Sequence, residues 1–385
     1  MRSWLWLVLV TACGSSSGSG SLPDASTEGG IVTDGGACPS PASLSAGVDH
    51  ACATMSDGTV ICWGDEAGGP TLPSPTRVAD LTNVDKVAAG GDFNCARRTD
   101  GSVACWGRNL KGQLGNGTTK DSAKPVAVTG LSDAQQLVAG HRHACAIRAD
   151  RTAVCWGDND YGKLGDGTKT SRNVPTPVVG LTDVAELAAS EDDTCAATRS
   201  GKVYCWGANA HGENGDGTTE AHSQPVEVVG LTGALHITAG GMSQYDYACA
   251  ILGGGNVSCW GSNFFGQLGD GTKTDRHEPT PMTVTAPGAI AAGGARTCLL
   301  TSLGQFGDDG TVQCVGTAPL GDGTNTSSNV LVTIPNLQAG AVVTNEDFAC
   351  VLTRGHGLYC WGNSGGAPAP GTLSPTAVSL CNGVR

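Results

Sequence analysis

The sequence predicts an all-β chain folded as a closed ring of seven β-blades, and three features carry that reading. Cysteine pairs bracket a tight turn seven times, and six of the pairs are followed by Trp-Gly. Their first members lie 43 to 54 residues apart, the spacing of a repeat array. Short Val/Ala/Leu runs bounded by Gly, Asp and Pro recur throughout, and no long segment carries apolar residues at helical spacing. A single blade cannot bury its apolar face alone, so the repeats form one body, although 385 residues would by length suggest two or three domains.

The chain opens MRSWLWLVLVTAC, an apolar run far too short to span and stay in a bilayer. Val10-Thr11-Ala12-Cys13 resembles a bacterial lipobox, which implies a signal peptide over residues 1–12 and a lipid on Cys13. An ordinary signal peptide cleaved nearby is the alternative. Residues 13–37 are rich in Gly, Ser and Asp and read as a flexible tether. Setting Cys13 aside leaves sixteen of the 17 cysteines, an even number, as an oxidising compartment favours.

The body is expected over residues 38–381. The pairs are Cys52/Cys62, Cys95/Cys105, Cys145/Cys155, Cys195/Cys205, Cys249/Cys259, Cys298/Cys314 and Cys350/Cys360. Zinc ligands would be expected at closer spacings with histidine partners. In the first pair, Ser56-Asp57-Gly58 can form a three-residue loop with Gly58 left-handed, which sets Cys52 opposite Cys62. The pair then falls at a non-hydrogen-bonded site, where Cα atoms approach to about 4.5 Å, within the range a disulfide accepts. Disulfides are therefore expected in every repeat.

Cys38 and Cys381 remain. Cys38 stands 14 residues before Cys52, where Leu81, Leu131 and Leu181 stand before the next first cysteines. Cys381 stands six residues after Pro375, as Leu81, Leu131 and Leu181 stand after Pro75, Pro125 and Pro175. The two outermost cysteines thus share one repeat position at opposite ends of the array. A closed ring brings these ends together, and a Cys38–Cys381 bridge is expected to seal it.

The third copy reads LVAGHRHACAIRADRTAVCWGDNDYGKLGDGT, and neighbours give CWGRNLKGQLGNGT, CWGANAHGENGDGT and CWGSNFFGQLGDGT. This glycine pattern resembles the regulator of chromosome condensation repeat over about residues 38–381. The resemblance implies a seven-bladed β-propeller with four antiparallel strands per blade. Repeat six departs from it, with Val315 in place of Trp and a swollen Cys298–Cys314 loop, and repeats one and seven lack the GQLG segment. Irregular outer strands are expected there. The resemblance further implies a disc that binds proteins, or guanine-nucleotide exchange on a small GTPase as in the family's founder.

In an up-and-down meander the first and third turns of each blade share the face opposite the cysteine hairpins. Residues just before the first cysteines vary sharply: Asp92, Phe93, His141, His143, Glu191, Asp192, Asp193, Tyr245, Tyr247, Asp347 and Phe348. The third turns add Tyr161, His211, Phe264 and Phe265. Acids, aromatics and histidines on rigid blade ends suit recognition of a protein or cell-surface ligand.

A net charge of −13, with no basic stripe, disfavours nucleic acid. The repeated Asp-Gly of GDGT (Asp166, Asp216, Asp270, Asp322) lacks the acidic ladder of a calcium loop and reads as turn chemistry. His141 and His143 could hold a metal only with a third ligand, and no metal or cofactor is expected. Gly362-Asn363-Ser364-Gly365-Gly366 has no strand–turn–helix context for a hydrolase nucleophile. The expectation is a monomeric, non-enzymatic binding module. It is expected to be exported and held at a bacterial outer membrane or cell surface by its lipid alone, or else secreted or periplasmic. An envelope enzyme working in the central channel is the remaining alternative, with no catalytic constellation visible for it.

Overall fold

In the computed structural model the described residues are 39–65, 71–242, 244–284, 287–301, 309–362 and 372–380, and they form seven four-stranded antiparallel sheets. The sheets occupy residues 41–77, 84–127, 134–177, 184–227, 234–282, 287–339 and 341–378, named blades one to seven. This is the seven-bladed β-propeller, with no helix among the described residues. Within every blade the strands pair in chain order. Each blade is therefore one contiguous stretch, and no strand is exchanged between the ends of the ring.

Position in the blade decides what each strand can carry. In blade two the second and third strands, Phe93–Arg98 and Val103–Gly107, are almost wholly buried because both their faces meet neighbouring blades. The fourth, Ser122–Ala127, lies at the rim and is half-exposed. The first strands surround the axis with small residues, among them Ala46, Ala89, Ala139, Ala189, Ala239 and Ala292. Outer strands of blades one and seven, Thr71–Arg77 and Thr372–Val378, are seven residues each and pair with their third strands with one shift of register, between Cys62 and Gly64 and between Cys360 and Gly362, the same shift that blades two to five show. The irregular outer strand is that of blade six, Ser328–Ala339, at 12 residues.

Among the described residues seven disulfides join second to third strands, one within each blade. They are Cys52–Cys62, Cys95–Cys105, Cys145–Cys155, Cys195–Cys205, Cys249–Cys259, Cys298–Cys314 and Cys350–Cys360, with Cα atoms 4.0–4.1 Å apart. All fourteen sulfurs lie in the seams between blades, each cysteine 0–1 % exposed. Cys105, Cys205, Cys259 and Cys360, like their partners, therefore belong to the packed core and present nothing to a ligand. The register is the one the turn chemistry predicts: Met55 N donates to Thr59 O at 2.8 Å, Gly58 takes φ 76°, and Cys52 faces Cys62. Cys298 still faces Cys314 in blade six, so the longer loop leaves the pairing intact. Such a set of bridges marks an oxidising compartment. No helix among the described residues is long and apolar enough to cross a membrane.

The core lies between blades. Phe93 and Val103 of blade two cluster with Ala144, Ala146 and Trp156 of blade three. Three of the tryptophans also reach back one blade: the indole N–H of Trp156, Trp206 and Trp260 donates to the carbonyls of Gln113, Lys163 and Glu213 at 2.8–2.9 Å. Gly165 is required here, since a Cβ on it would lie 2.7 Å from the Trp206 ring. Blade one meets blade seven in the same manner, Leu44, Ala53 and Trp63 clustering with Phe348, Cys350 and Leu380. Asn345 adds hydrogen bonds from its amide to the carbonyls of Gly47 and Val48. Closure among the described residues thus rests on side chains. Cys13, the tether of residues 13–37, and the Cys38–Cys381 bridge fall outside them.

Candidate binding face

Burial sorts the sequence-derived candidates into two sets. Phe93, His143, Asp193, Tyr247 and Phe348 are 0–3 % exposed and are removed from the exposed face. They open the second strands, and each stands opposite a left-handed glycine of the third strand, as Phe93 does opposite Gly107. From there the side chain runs between blades. His143 Nε2 lies 2.8 Å from Thr194 Oγ1 of the next blade, and the Tyr247 hydroxyl donates to Gly293 O at 3.0 Å. Burial, reinforced by Lys163, pushes the His143 imidazole down to about 3, so it is neutral and suited to packing. His141 and His143 therefore point to different surroundings, and the described residues contain no metal-binding group of three His, Cys, Asp or Glu.

The remaining candidates gather where the first and third turns converge. At the channel mouth His141 Nδ1 and Glu191 Oε1 are 3.2 Å apart, and that contact raises the imidazole above its ordinary value. Glu346 lines the same mouth. Burial first, then the charge of Glu191, pushes its carboxyl up to about 7. Asp92 and Asp347 are half-buried. Asp192 is occupied by Lys163, a buried lysine whose ammonium also meets Asp158 at 3.0 Å. Burial alone would lower the Lys163 ammonium; Asp192 and Asp158 outweigh it and hold it above its usual value. Lys163 is visible in the sequence only as a departure, GKLG where two neighbours have GQLG.

Three blades contribute to one aromatic ledge beside this mouth. Tyr245 stacks against Phe264 at 5.9 Å between ring centroids, meets His211 in a tilted contact at 5.3 Å, and meets Phe265 edge-on at 6.0 Å. Phe264 is 60 % exposed and Tyr161 36 %. The third turns that present them are fixed from within. Asn159 and Asn263 donate across their loops to the carbonyls of Thr168 and Thr272, while their Oδ1 atoms accept the amides of Leu164 and Leu268. Asp166, Asp216, Asp270 and Asp322 each accept the amide and hydroxyl of the threonine two residues on, which is their work as turn formers.

Tyr245 reaches the ledge because blade five's first turn is longer than the others. Gly240 and Tyr247 are seven residues apart, whereas Gly90 and Phe93, or Gly140 and His143, are three apart. Gln244 in this insertion takes φ 76°, a left-handed conformation costly for a residue with a Cβ. Its amide donates to Glu191 Oε2 and its side chain to the Tyr161 hydroxyl, each at 3.3 Å. One strained residue thus ties the ledge to the acidic mouth. The spacing departure was present in the sequence, but nothing in it said where the extra residues fold.

Models of the regulator of chromosome condensation (RCC1) repeat match residues 100–147, 155–197, 200–243 and 254–300, and a second model of that repeat matches 42–69, 84–113, 134–163 and 184–213. Among solved structures, Prp20p of Saccharomyces cerevisiae is similar at 18 % identity and TM-score 0.74, over 86 % of this chain and 88 % of that one. Human WBSCR16 is similar at 21 % identity and TM-score 0.70, over 80 % of this chain and 84 % of that one. The ectodomain of the Arabidopsis thaliana receptor kinase ACR4 is similar at 18 % identity and TM-score 0.54, over 89 % of this chain and all of that one. At these identities the likeness is one of fold. No curated protein matches the chain.

Proposed function

Because this chain belongs to the regulator of chromosome condensation (RCC1) repeat family, we propose that it is a non-enzymatic binding module that recognises a protein through the loop face of its propeller. The observation that carries the reading is the ledge of Tyr161, His211, Tyr245, Phe264 and Phe265, built from three blades and left open to solvent. Exposed aromatics on a rigid scaffold are the usual anchors of protein interfaces. The described cysteines are spent in disulfides, which takes thiol chemistry away from the face. Solved relatives support a protein partner by analogy: yeast RCC1 (Prp20) was crystallised with Kap60, and Prp20p was studied for its binding to Gsp1p and histones. Nucleotide exchange on a GTPase fits this chain less well, since disulfides and a net charge of −13 suit neither the cytosol nor chromatin. The exported, envelope-anchored form rests on the lipobox-like Cys13.

The test is photo-crosslinking in the native envelope from a probe placed at Leu110, which is 68 % exposed on a neighbouring third turn. The captured partner should bind at least tenfold more weakly to the variant Tyr245→Ala/Phe264→Ala/Phe265→Ala. An unchanged affinity would place recognition on another surface. Globomycin should block maturation, and normal processing in its presence would remove the Cys13 assignment.

A further inference from the structure

Beneath the ledge, between blades four and five, three carboxyl groups are buried together. Asp193, Glu213 and Asp246 are 3 %, 2 % and 1 % exposed. Asp193 and Asp246 are neighbours across the seam, since the Ser190 hydroxyl reaches both the Asp193 carbonyl at 3.3 Å and Asp246 Oδ2 at 3.0 Å. Both oxygens of Asp193 and Oδ1 of Asp246 meet no donor among the described residues. Carboxylates only accept, so two of them can bond only when one keeps a proton. Blade four is also the blade whose inner positions have turned polar. Asp193 stands where blades two and five carry Phe93 and Tyr247, and Asn214 where they carry Leu114 and Leu268. Asn214 is fully buried with both amide atoms unpartnered, a second mark of a polar chamber in an otherwise apolar seam.

The groups facing this chamber are chiefly acidic. Asp192, Glu213 and Asp246 act on Asp193, and Glu191 and Asp192 act on Asp246. His211 lies beside Glu213, and the phenol of Tyr247, itself beside the buried guanidinium of Arg296, is next to Asp246. The nearby ammonium of Lys163 is already engaged by Asp192 and Asp158. Burial and this crowding of like charge push Asp246 up to about 6 and Glu213 to about 7, and hold Asp193 well above the usual carboxylate range.

Both ends of the ledge hang from this cluster. Asp246 directly follows Tyr245, and its Oδ2 accepts the Asp192 amide at 2.7 Å and the Ser190 hydroxyl at 3.0 Å, pinning the insertion to blade four. Glu213 Oε2 accepts the amide of His211 at 2.8 Å. We propose that one proton shared between Asp193 and Asp246 locks the aromatic ledge, so that the docking face is set in acid and loosens when the pair ionises. This inference rests on the binding reading above and adds regulation to it.

The lock can be read without any partner. With the five phenylalanines replaced by 4-fluorophenylalanine, the Phe264 and Phe265 resonances, assigned through Phe264→Leu and Phe265→Leu, should shift together as pH rises, with a midpoint well above the usual carboxylate range. Asp193→Asn gives Asp246 a permanent N–H donor and should abolish the titration in the locked position. Glu213→Gln, the residue of blades two and five, removes one like charge and should move the midpoint to lower pH. His211→Gln should leave it in place. A midpoint near 4, a titration that survives Asp193→Asn, or one that vanishes in His211→Gln overturns the lock. Should Asp193→Asn not fold, the Glu213→Gln shift decides alone, and an unmoved midpoint overturns the lock equally. A titrating ledge that captures no partner would remove the binding reading and leave the lock standing; a flat ledge that captures one would do the reverse.

Discussion

Nε2 of His50 lies 2.7 Å from Oδ1 of Asn94, although the two belong to different blades and are 44 residues apart. His50 opens the second strand of blade one, and Asn94 precedes the first cysteine of blade two. The same two positions are joined in His143 and Thr194, at 2.8 Å. Side chains at this register act as spokes, each crossing from one blade to the next around the channel. Glycine on the channel wall makes room for them: a Cβ on Gly90 would lie 2.4 Å from the Phe93 ring.

A spoke that loses its polar end should weaken the ring without opening it. The Tyr247 hydroxyl is fully buried, where it donates to backbone carbonyl of blade six and accepts from Thr297 Oγ1 at 3.0 Å. Tyr247→Phe keeps the ring and strands these partners, so it should cost about 1–3 kcal/mol. Reversible denaturant unfolding measures the loss, and a variant as stable as the parent would show that the spoke works by packing alone.

Lys163 should be the most expensive single charge to remove near the face. Its side chain is 2 % exposed, between Asp158 and Asp192 at 6 % and 12 %. Lys163→Met leaves Asp192 buried without its cation and Asp158 with Lys111 alone, 3.1 Å away, a change of about 3–5 kcal/mol. Against the cost of burial, Lys163 and then Lys111 hold Asp158 down to about 2, below its ordinary 3.8. A depressed carboxylate stabilises the fold above its unfolded pKa, and that contribution is lost as pH falls through the folded value. Stability of the parent should therefore drop between about pH 4 and pH 2, and the Lys163→Met variant should keep only the smaller part of this drop that Lys111 sustains. Unfolding midpoints collected across that range decide it.

The covalent closure expected from the sequence has a sharp test. Non-reducing peptide mapping should recover one peptide pair joined through Cys38 and Cys381, besides the seven bridges within blades. Cys38→Ser with Cys381→Ser should lower stability by at most about 6 kcal/mol, because the bridge closes a very long loop that the inner disulfides already shorten. Cys145→Ala with Cys155→Ala should cost at most about 3 kcal/mol for its short loop. No loss on removing Cys38 and Cys381 would mean that side chains alone hold blades one and seven together.

Legibility differed between backbone and surface. The Ser56-Asp57-Gly58 turn and its paired cysteines could be read directly, because turn type sets register and register sets which residues face each other. Tyr247 and Phe348 could not be told from Tyr245 by inspection: all are aromatics near a first cysteine, and two positions along the chain separate a spoke from a ledge. Blade five's longer turn was countable, yet its path over blade four depends on Gln244 finding Glu191 and Tyr161, residues 53 and 83 positions away. The acidic chamber was the least legible feature, since Asp193, Glu213 and Asp246 meet only when two blades are laid side by side.

What this chain settles through local chemistry is a set of stapled hairpins, how many there are, and the oxidising surroundings they require, since turns and cross-strand cysteines act over about ten residues. Which polar and aromatic groups end in water and which between blades was decided only by assembly of the ring. A blade edge has no inside or outside until its neighbour arrives.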